Sequence, residues 1–166
     1  MRTVFFLLSA LVLASCSTVN YYIVRHAEKA TPGAGMSSDV PLSPAGEQRA
    51  IALKESLATK KIGQIFSTNT IRTRSTVKPA ADFWGLTISI YGPVPDSAFI
   101  SQLRSSKKNT LITGHSNTVD DIVNKLCGSV QITGDLRDTE YDNLFVVTKK
   151  RGKYIFSRKK YGVTTE

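Results

Sequence analysis

Internal repeats, histidines and acidic side chains are scarce in this sequence of 166 residues. No self-similarity occurs at periods of 20 to 50 residues, which argues against a solenoid or propeller. The chain has two histidines, and neither lies near carboxylates at ligand spacing, so we predict no metal and no cofactor. Thirteen acidic residues stand against 22 basic ones, a formal net charge of +9. A protein of this charge attracts anions such as phosphate esters, nucleic acid or anionic lipid headgroups.

The length and the remaining composition are those of one globular domain. Hydrophobic residues make up 41% of the chain, and 11 glycines and 6 prolines are ordinary numbers. A chain of this size can bury a sizeable core, and wholesale disorder is not expected.

The first fifteen residues differ from the rest. Arg2 is followed by two apolar runs, Val4–Leu8 and Ala10–Ala14, which are too short to span a bilayer and are typical of an export signal. Leu13–Cys16 resembles the lipobox of bacterial lipoproteins. That resemblance implies cleavage before Cys16 and acylation of its thiol, and several acyl chains anchor a protein stably. The alternative is an ordinary secretory signal with an incidental cysteine.

These assignments divide the chain into a signal peptide (1–15), a lipidated linker (16–20) and one domain (21–166). The protein is then an exported bacterial lipoprotein of the cell envelope, facing the periplasm or in the outer membrane. With lipid on Cys16, Cys127 has no cysteine partner, so no intramolecular disulfide is expected.

The order of patterns along the domain predicts alternating strands and helices. Strands are predicted at Tyr21–Val24, Ile62–Ser67, Leu86–Tyr91 and Thr110–Thr113, helices at Pro44–Thr59, Thr70–Trp84, Asp96–Arg104 and Ser116–Leu126, and a closing hairpin at Asn143–Thr148 and Tyr154–Arg158. Pro79 is expected to bend or interrupt the second helix. The fold class is α/β: a three-layer sandwich with a mostly parallel sheet flanked by helices and a C-terminal hairpin. Lysines of the hairpin are typical of a protected sheet edge, and no nucleic-acid partner is expected.

Both histidines follow predicted strands, where ligands bind in sheets of this kind. Arg25 and His26 directly follow the first strand, Arg72 follows the second by one helical turn, and His115 follows the fourth. Guanidinium groups match phosphate oxygens, and the predicted helix N-terminus after His115 favours an anion. Neighbouring cations favour a neutral imidazole, which can act as a nucleophile. The residues alone leave a structural role for these histidines equally open.

Four stretches in the expected order resemble the histidine phosphatase superfamily, also called phosphoglycerate mutase-like. They are Val24–Lys29, Leu42–Ala50, Ser67–Thr76 and Leu111–Thr118. The resemblance is to the small, compact members of its first branch and covers residues 21 to 148.

The resemblance implies a role for each matching residue. His26 is the nucleophile and becomes a phosphohistidine, while Arg25, Arg72 and His115 bind the phosphoryl group. A backbone amide at Ser116 adds a hydrogen bond, and Arg74 flanks the site. The implied activity is a metal-independent hydrolysis of a small phosphomonoester, with catalysis by charge stabilisation.

The proton donor is where the sequence departs from the larger members of the family. They carry a glutamate on an insert after the third strand, whereas Asp96 is the one acidic residue between Tyr91 and Leu103. Asp96 is the candidate donor, with a helix cap as its alternative role. Glu28 is predicted to orient a neighbour, either Lys29 or an arginine. Three other functions stay open: a phosphohistidine phosphatase acting on proteins, a lipoprotein that binds phosphorylated ligands without turnover, and a structural surface lipoprotein whose basic hairpin binds an anionic polymer.

Overall fold

The computed structural model describes residues 18–33 and 37–165. Its elements, in chain order, are β1 (Val19–Arg25), α1 (Pro44–Leu57), β2 (Ile62–Ser67), α2 (Ile71–Trp84), β3 (Ile88–Ile90), α3 (Ser97–Ser105), β4 (Asn109–Gly114), α4 (Val119–Cys127), β5 (Asn143–Lys150) and β6 (Lys153–Lys160). The predicted alternation of strands and helices is confirmed.

The six strands form one sheet in the order β3-β2-β4-β1-β5-β6. The first four strands along the chain are parallel neighbours, while β5 pairs antiparallel with β1 and with β6. The mostly parallel sheet and the closing hairpin are therefore confirmed. The carboxyl ends of β1, β2 and β4 meet at one edge, where Arg25 pairs with Gly114 and Ser67 with Thr113.

Alternate residues of the strands bury opposite faces of the sheet, which gives the fold its three layers. On one face, Tyr22, Val24 and Leu111 pack with side chains of α1 and α2. On the other, Tyr21, Ile23, Phe66, Ile112 and Phe145 pack with side chains of α3 and α4. Strands buried on both sides explain the nearly continuous apolar runs of the sequence.

Helix boundaries follow the local signals with two corrections. Ser43 caps α1 by accepting the amide of Gly46, and Gly85 ends α2 in the left-handed conformation. The helix α2 continues through Pro79, so the expected interruption is wrong. The last helix begins at Val119, because residues 116–118 form a turn instead of its first turn.

The predicted signal peptide and Cys16 lie outside the described residues. Within residues 18–33 and 37–165, no helix is long and apolar enough to cross a membrane. Cys127 has a free, partly buried thiol at the end of α4.

Candidate active site

The residues singled out by the sequence line one open cavity at the carboxyl edge of the sheet. Its volume is about 440 Å³, and its walls are formed by Arg25, His26, Lys29, Thr70, Arg72, Pro93, Val94, His115, Ser116, Asn117, Thr118 and Asp138. Larger grooves of about 560 and 710 Å³ elsewhere on the surface contain neither histidine. The structure thus brings together both histidines and both predicted phosphate-binding arginines.

His26 is buried directly after β1, with 4% of its surface exposed. Its Nδ1 lies 2.8 Å from the carbonyl oxygen of Ala27. Because a carbonyl only accepts, Nδ1 carries the proton and Nε2 keeps its lone pair. Burial lowers the pKa of His26 to about 3; the hydrogen bond to Ala27 opposes this, and the charges of Arg25 and Arg72 reinforce it. Neutral His26 has the form that a nucleophile needs.

His115 is held through both ring nitrogens. Its Nδ1 lies 3.4 Å from Nη2 of Arg72, and its Nε2 lies 2.9 Å from the hydroxyl of Thr68. A guanidinium only donates, so Nδ1 accepts and Nε2–H donates to Thr68. Burial, Arg72 and Arg25 lower the pKa of His115 to about 4, while Asp39 opposes the shift. Neutral His115 has no charge to offset that of an anion. Its hydrogen bond from Arg72 instead orders that guanidinium beside His26.

The two arginines present buried donors to the cavity. Arg25 is 4% exposed, and its Nη1 donates to the carbonyl oxygens of Arg137 and Asp138, at 2.7 and 3.2 Å. Arg72 donates through Nη1 to Ser38 O at 3.3 Å and lies 3.5 Å from Asp39 Oδ1. The Nε of each arginine is buried without a hydrogen-bond partner in the described part of the chain. Buried guanidinium N–H groups without partners are costly, and an oxyanion would satisfy them.

The backbone around His26 is fixed by α2. The amide of Ala27 donates to the hydroxyl of Thr76 at 2.8 Å, and that hydroxyl donates to the carbonyl of Arg72, also at 2.8 Å. Thr76 therefore connects the segment after His26 with the helix that carries Arg72. It is the last residue of the Ser67–Thr76 stretch that resembles the family.

A buried ion pair holds the segment that follows. Arg49 is 5% exposed, and its Nε and Nη2 donate to the carboxylate of Glu28 at 2.7 to 2.9 Å. The predicted partner of Glu28 is thus an arginine, Arg49, and not Lys29. The remaining Nη1 of Arg49 donates to the carbonyl of Tyr161 at 3.1 Å. The ion pair holds the loop that follows His26 against α1, and through Arg49 against the C-terminal segment.

Two glycines allow close approaches that no larger residue permits. A Cβ at Gly46 would lie 2.1 Å from the backbone oxygen of Glu28. A Cβ at Gly114 would lie 2.8 Å from the hydroxyl of Tyr91 and 2.9 Å from that of Thr118. Gly46 lets α1 pack directly against the backbone of Glu28. Gly114 lets the end of β4 approach Tyr91 and Thr118, which places His115 in the cavity.

Ser116 lies on the cavity wall, but at a turn and not at the first turn of a helix. No hydrogen bond joins its backbone N–H to another described residue, whereas its carbonyl accepts the amide of Leu136 at 3.0 Å. Its role as a phosphate-binding amide stays a prediction. The expected contribution of a helix N-terminus is weaker than predicted, because α4 begins three residues later.

Asp96 is placed by the structure as a helix cap. Its carboxylate accepts the amide of Phe99 at 2.8 Å, and it is not among the residues that line the cavity. Its assignment as proton donor stays a prediction without support from this geometry. The acidic residue that does line the cavity, within the described chain, is Asp138. Its side chain is 99% exposed, and Oδ1 lies 3.4 Å from Nη2 of Arg25.

Sequence reasoning missed Asp138 and Tyr141. The Tyr141 ring lies 4.3 Å below the guanidinium carbon of Arg25 and 6.1 Å from the His26 ring. Both residues precede β5, which is antiparallel, so its beginning lies at the edge where the parallel strands end. The predicted closing hairpin could have indicated these two residues. An antiparallel strand begins at the edge of the sheet where the parallel strands end, so the residues just before it lie near the cavity.

In the described ranges, no cluster of side chains supports metal binding. No group of three or more His, Cys, Asp or Glu side chains there is arranged to hold an ion. The cavity instead collects two histidines and two arginines, a donor set suited to an anion.

Comparison with known families agrees with this geometry. The model of the histidine phosphatase superfamily, branch 1, matches residues 21–92. The resemblance to the histidine phosphatase superfamily is confirmed. The match contains Arg25, His26 and Arg72, and His115 lies beyond it. A search of curated proteins found no match.

Solved phosphatase structures share the fold. The protein histidine phosphatase SixA complexed with tungstate is 20% identical, with a TM-score of 0.68 over 86% of this chain and 97% of its own. A candidate phosphohistidine phosphatase SixA from Agrobacterium tumefaciens is 16% identical, with a TM-score of 0.64 over 88% and 99%. A mycobacterial glucosyl-3-phosphoglycerate phosphatase is 12% identical, with a TM-score of 0.66 over 89% and 100%. At these identities the neighbours establish the phosphoglycerate mutase-like fold, and with the family match they support a phosphatase in general.

Proposed function

We propose that this protein hydrolyses a phosphomonoester by transferring its phosphoryl group to His26 and then to water. The observation that carries the proposal is the Nε2 of His26, which has no hydrogen-bond partner in the described chain. Beside it lie the buried Arg25 and the partly buried Arg72, whose Nε–H groups also lack partners there. A nucleophile and unsatisfied donors in one cavity are what in-line attack on phosphorus requires.

In the first step the lone pair of His26 Nε2 forms a bond to phosphorus as the bond to the ester oxygen breaks. Arg25 and Arg72 donate to the equatorial oxygens, where charge is greatest. The departing alkoxide takes a proton. In the second step water attacks phosphorus and releases one proton to solvent, the P–N bond breaks, and its electron pair returns to Nε2 as inorganic phosphate leaves.

The proton for the leaving group has one candidate on the cavity wall. Asp138 is exposed at the rim and held by the loop whose carbonyls Arg25 binds. Its position suits an acid that exchanges protons with solvent between turnovers. Asp96, the candidate from the sequence, is committed to capping α3.

The chain segment at the rim that could cover the cavity is short. Only Gly92 to Asp96 lie between Tyr91 and α3, and Pro93 and Val94 of this connection line the rim. An open cavity admits small phosphomonoesters and also a phosphorylated side chain on a protein surface. Similarity in fold to SixA favours phosphohistidine as the second candidate substrate. Export to the envelope favours the phosphomonoester, because proteins that carry phosphohistidine are expected to be scarce there.

We propose the cell envelope as the location, on the basis of the sequence signals alone. The apolar run that ends at Cys16 supports export and acylation. The domain would then act on substrates outside the cytoplasm.

Hydrolysis of para-nitrophenyl phosphate by the full-length protein, with chelator present, tests the proposal. We expect turnover that vanadate inhibits and that falls at least about 1000-fold in His26→Ala, because the nucleophile is removed. Thr133→Ala, outside the cavity, is the control. A folded protein that binds phosphate without turnover would instead be a phospho-ligand-binding lipoprotein, and turnover lost to chelator would overturn the metal-free mechanism.

A further inference from the structure

Basic residues from three separate chain segments lie at the amino edge of the parallel strands. We define this cationic edge as Lys60, Lys61, Lys107, Lys108, Lys149, Lys150 and Lys153. All are exposed except Lys149, which is half-buried and donates to the carbonyl of Arg104.

Strand register and side-chain hydrogen bonds bring the three segments together. Ile62 pairs with Asn109 at the start of β2 and β4, and Val19 pairs with Lys149. The Asn109 side chain donates to the carbonyl of Lys60 at 2.7 Å and accepts the amide of Asn20 at 3.0 Å. The residues before β2 and β4 and the turn after β5 therefore share one edge.

No acidic residue lies in the chain segments that form the cationic edge, residues 58–61, 105–109 and 149–153. Glu55 and Asp82, in the last turns of α1 and α2, are paired with Lys54 and Lys78, and Asp142, directly before β5, is paired with Lys160. A surface of one sign that faces solvent attracts polyanions.

Two ordinary explanations each cover only part of the set. Lysines protect exposed sheet edges, but β2 and β4 are interior strands, so this reason does not reach Lys60, Lys61, Lys107 or Lys108. Cations also favour helix C-termini, and α1 and α3 end nearby, but the β5–β6 turn follows no helix.

The position of this edge relative to the chain and the cavity indicates its partner. The described chain begins here, at Thr18 and Val19, two residues after the predicted lipidation site Cys16. The catalytic cavity lies at the other ends of the strands, about 20 Å away, because six strand residues rise about 3.3 Å each.

We propose that the cationic edge docks on the surface of a bilayer rich in anionic phospholipid. The lysine ammonium groups contact lipid phosphates, and the domain stands with its active-site mouth facing away from the membrane. The inference does not depend on the phosphatase activity; it rests on the proposed anchoring of the chain at Cys16.

Limited trypsin digestion of full-length protein on vesicles tests the orientation. One set is phosphatidylcholine alone, and the other contains about 30% phosphatidylglycerol. We expect cleavage in the Lys150–Lys153 turn to slow at least about five-fold on anionic vesicles, while cleavage after Arg137, on the cavity side, is unchanged. Equal rates in the turn on both vesicle types, or slowing at Arg137 as well, would overturn the proposal.

A charge-matched pair of variants separates this edge from net charge. Lys107→Gln with Lys150→Gln should weaken binding to the anionic vesicles about 25-fold, roughly five-fold per lysine. Arg74→Gln with Lys159→Gln removes the same charge elsewhere and should leave binding and protection unchanged. Equal losses in both pairs would contradict a specific edge. Binding of a single-stranded oligonucleotide that only the first pair abolishes, without any effect of vesicle composition, would assign the surface to nucleic acid instead.

Discussion

The imidazole rings of His26 and His115 lie 5.6 Å apart, centroid to centroid, at an angle of 66°. Both are neutral, but only one has a ring nitrogen to spare. His115 uses Nδ1 for Arg72 and Nε2 for Thr68, whereas Nε2 of His26 bonds to no residue in the described part of the chain. The hydrogen bonds therefore favour His26 over His115 as the proposed nucleophile.

The first prediction concerns stability at acid pH. The unfolded chain protonates His26 near pH 6.5, whereas burial holds its folded pKa at about 3. Stability is therefore full above pH 6.5 and falls as pH drops toward 3, by up to about 1.4 kcal/mol per pH unit for this residue. Urea unfolding of His26→Gln at pH 7, 5.5 and 4.5 should show a flatter dependence than the parent. Parallel curves would contradict the neutral, buried state.

The second prediction concerns Gly46. Replacing a helical glycine by alanine usually stabilises by about 0.5 to 1 kcal/mol. Here Gly46→Ala should destabilise by about 2 kcal/mol or more, because the Cβ would meet the backbone oxygen of Glu28 at 2.1 Å. Gly92→Ala, whose Cβ would come no closer than 3.7 Å, is the matched control. Thermal unfolding of both variants measures the difference, and a stabilised Gly46→Ala would refute the close approach.

The third prediction separates the two candidate acids. Asp138→Asn should lower kcat about 100-fold or more for an alkyl phosphomonoester, whose leaving group needs a proton. It should change para-nitrophenyl phosphate hydrolysis little, since that leaving group departs as a stable anion. Asp96→Asn keeps a good helix cap and should affect neither substrate. A selective loss in Asp96→Asn would restore Asp96 as the donor.

The fourth prediction concerns Thr68. Its hydroxyl fixes the tautomer of His115, and through it the contact with Arg72. Thr68→Val should reduce kcat about ten-fold and Thr68→Ser should restore it, because the lost hydrogen bond costs about 1 to 2 kcal/mol. Steady-state kinetics of both variants provide the test. Equal losses in the valine and serine variants would indicate packing rather than hydrogen bonding.

Sequence patterns predicted most of the fold because the strands and helices are bounded by strong local signals. Ser43 with Pro44 begins α1, and Gly85 and Gly128 end α2 and α4 in the left-handed conformation. The strand-end rule also gathered His26, Arg72 and His115 correctly, because parallel strands all end at one edge.

What the patterns missed depends on contacts between distant residues. Asp138 and Tyr141 reach the cavity from a loop whose path is set by Arg25 binding its carbonyls. Arg49, in the helical pattern of α1, gave no sign of its buried pair with Glu28, 21 residues earlier in the chain. No periodicity encodes such pairs, since each depends on how separate elements pack.

Direct detection of the phosphoenzyme tests the central claim. Full-length protein is mixed with a phosphomonoester, quenched in alkali within the first turnover, and digested for mass spectrometry, because phosphohistidine survives base and not acid. The account predicts one phosphoryl group, on His26, that is absent from His26→Ala and present in His115→Gln at a reduced rate. Turnover without a phosphorylated His26, or phosphate found on His115 instead, would contradict it.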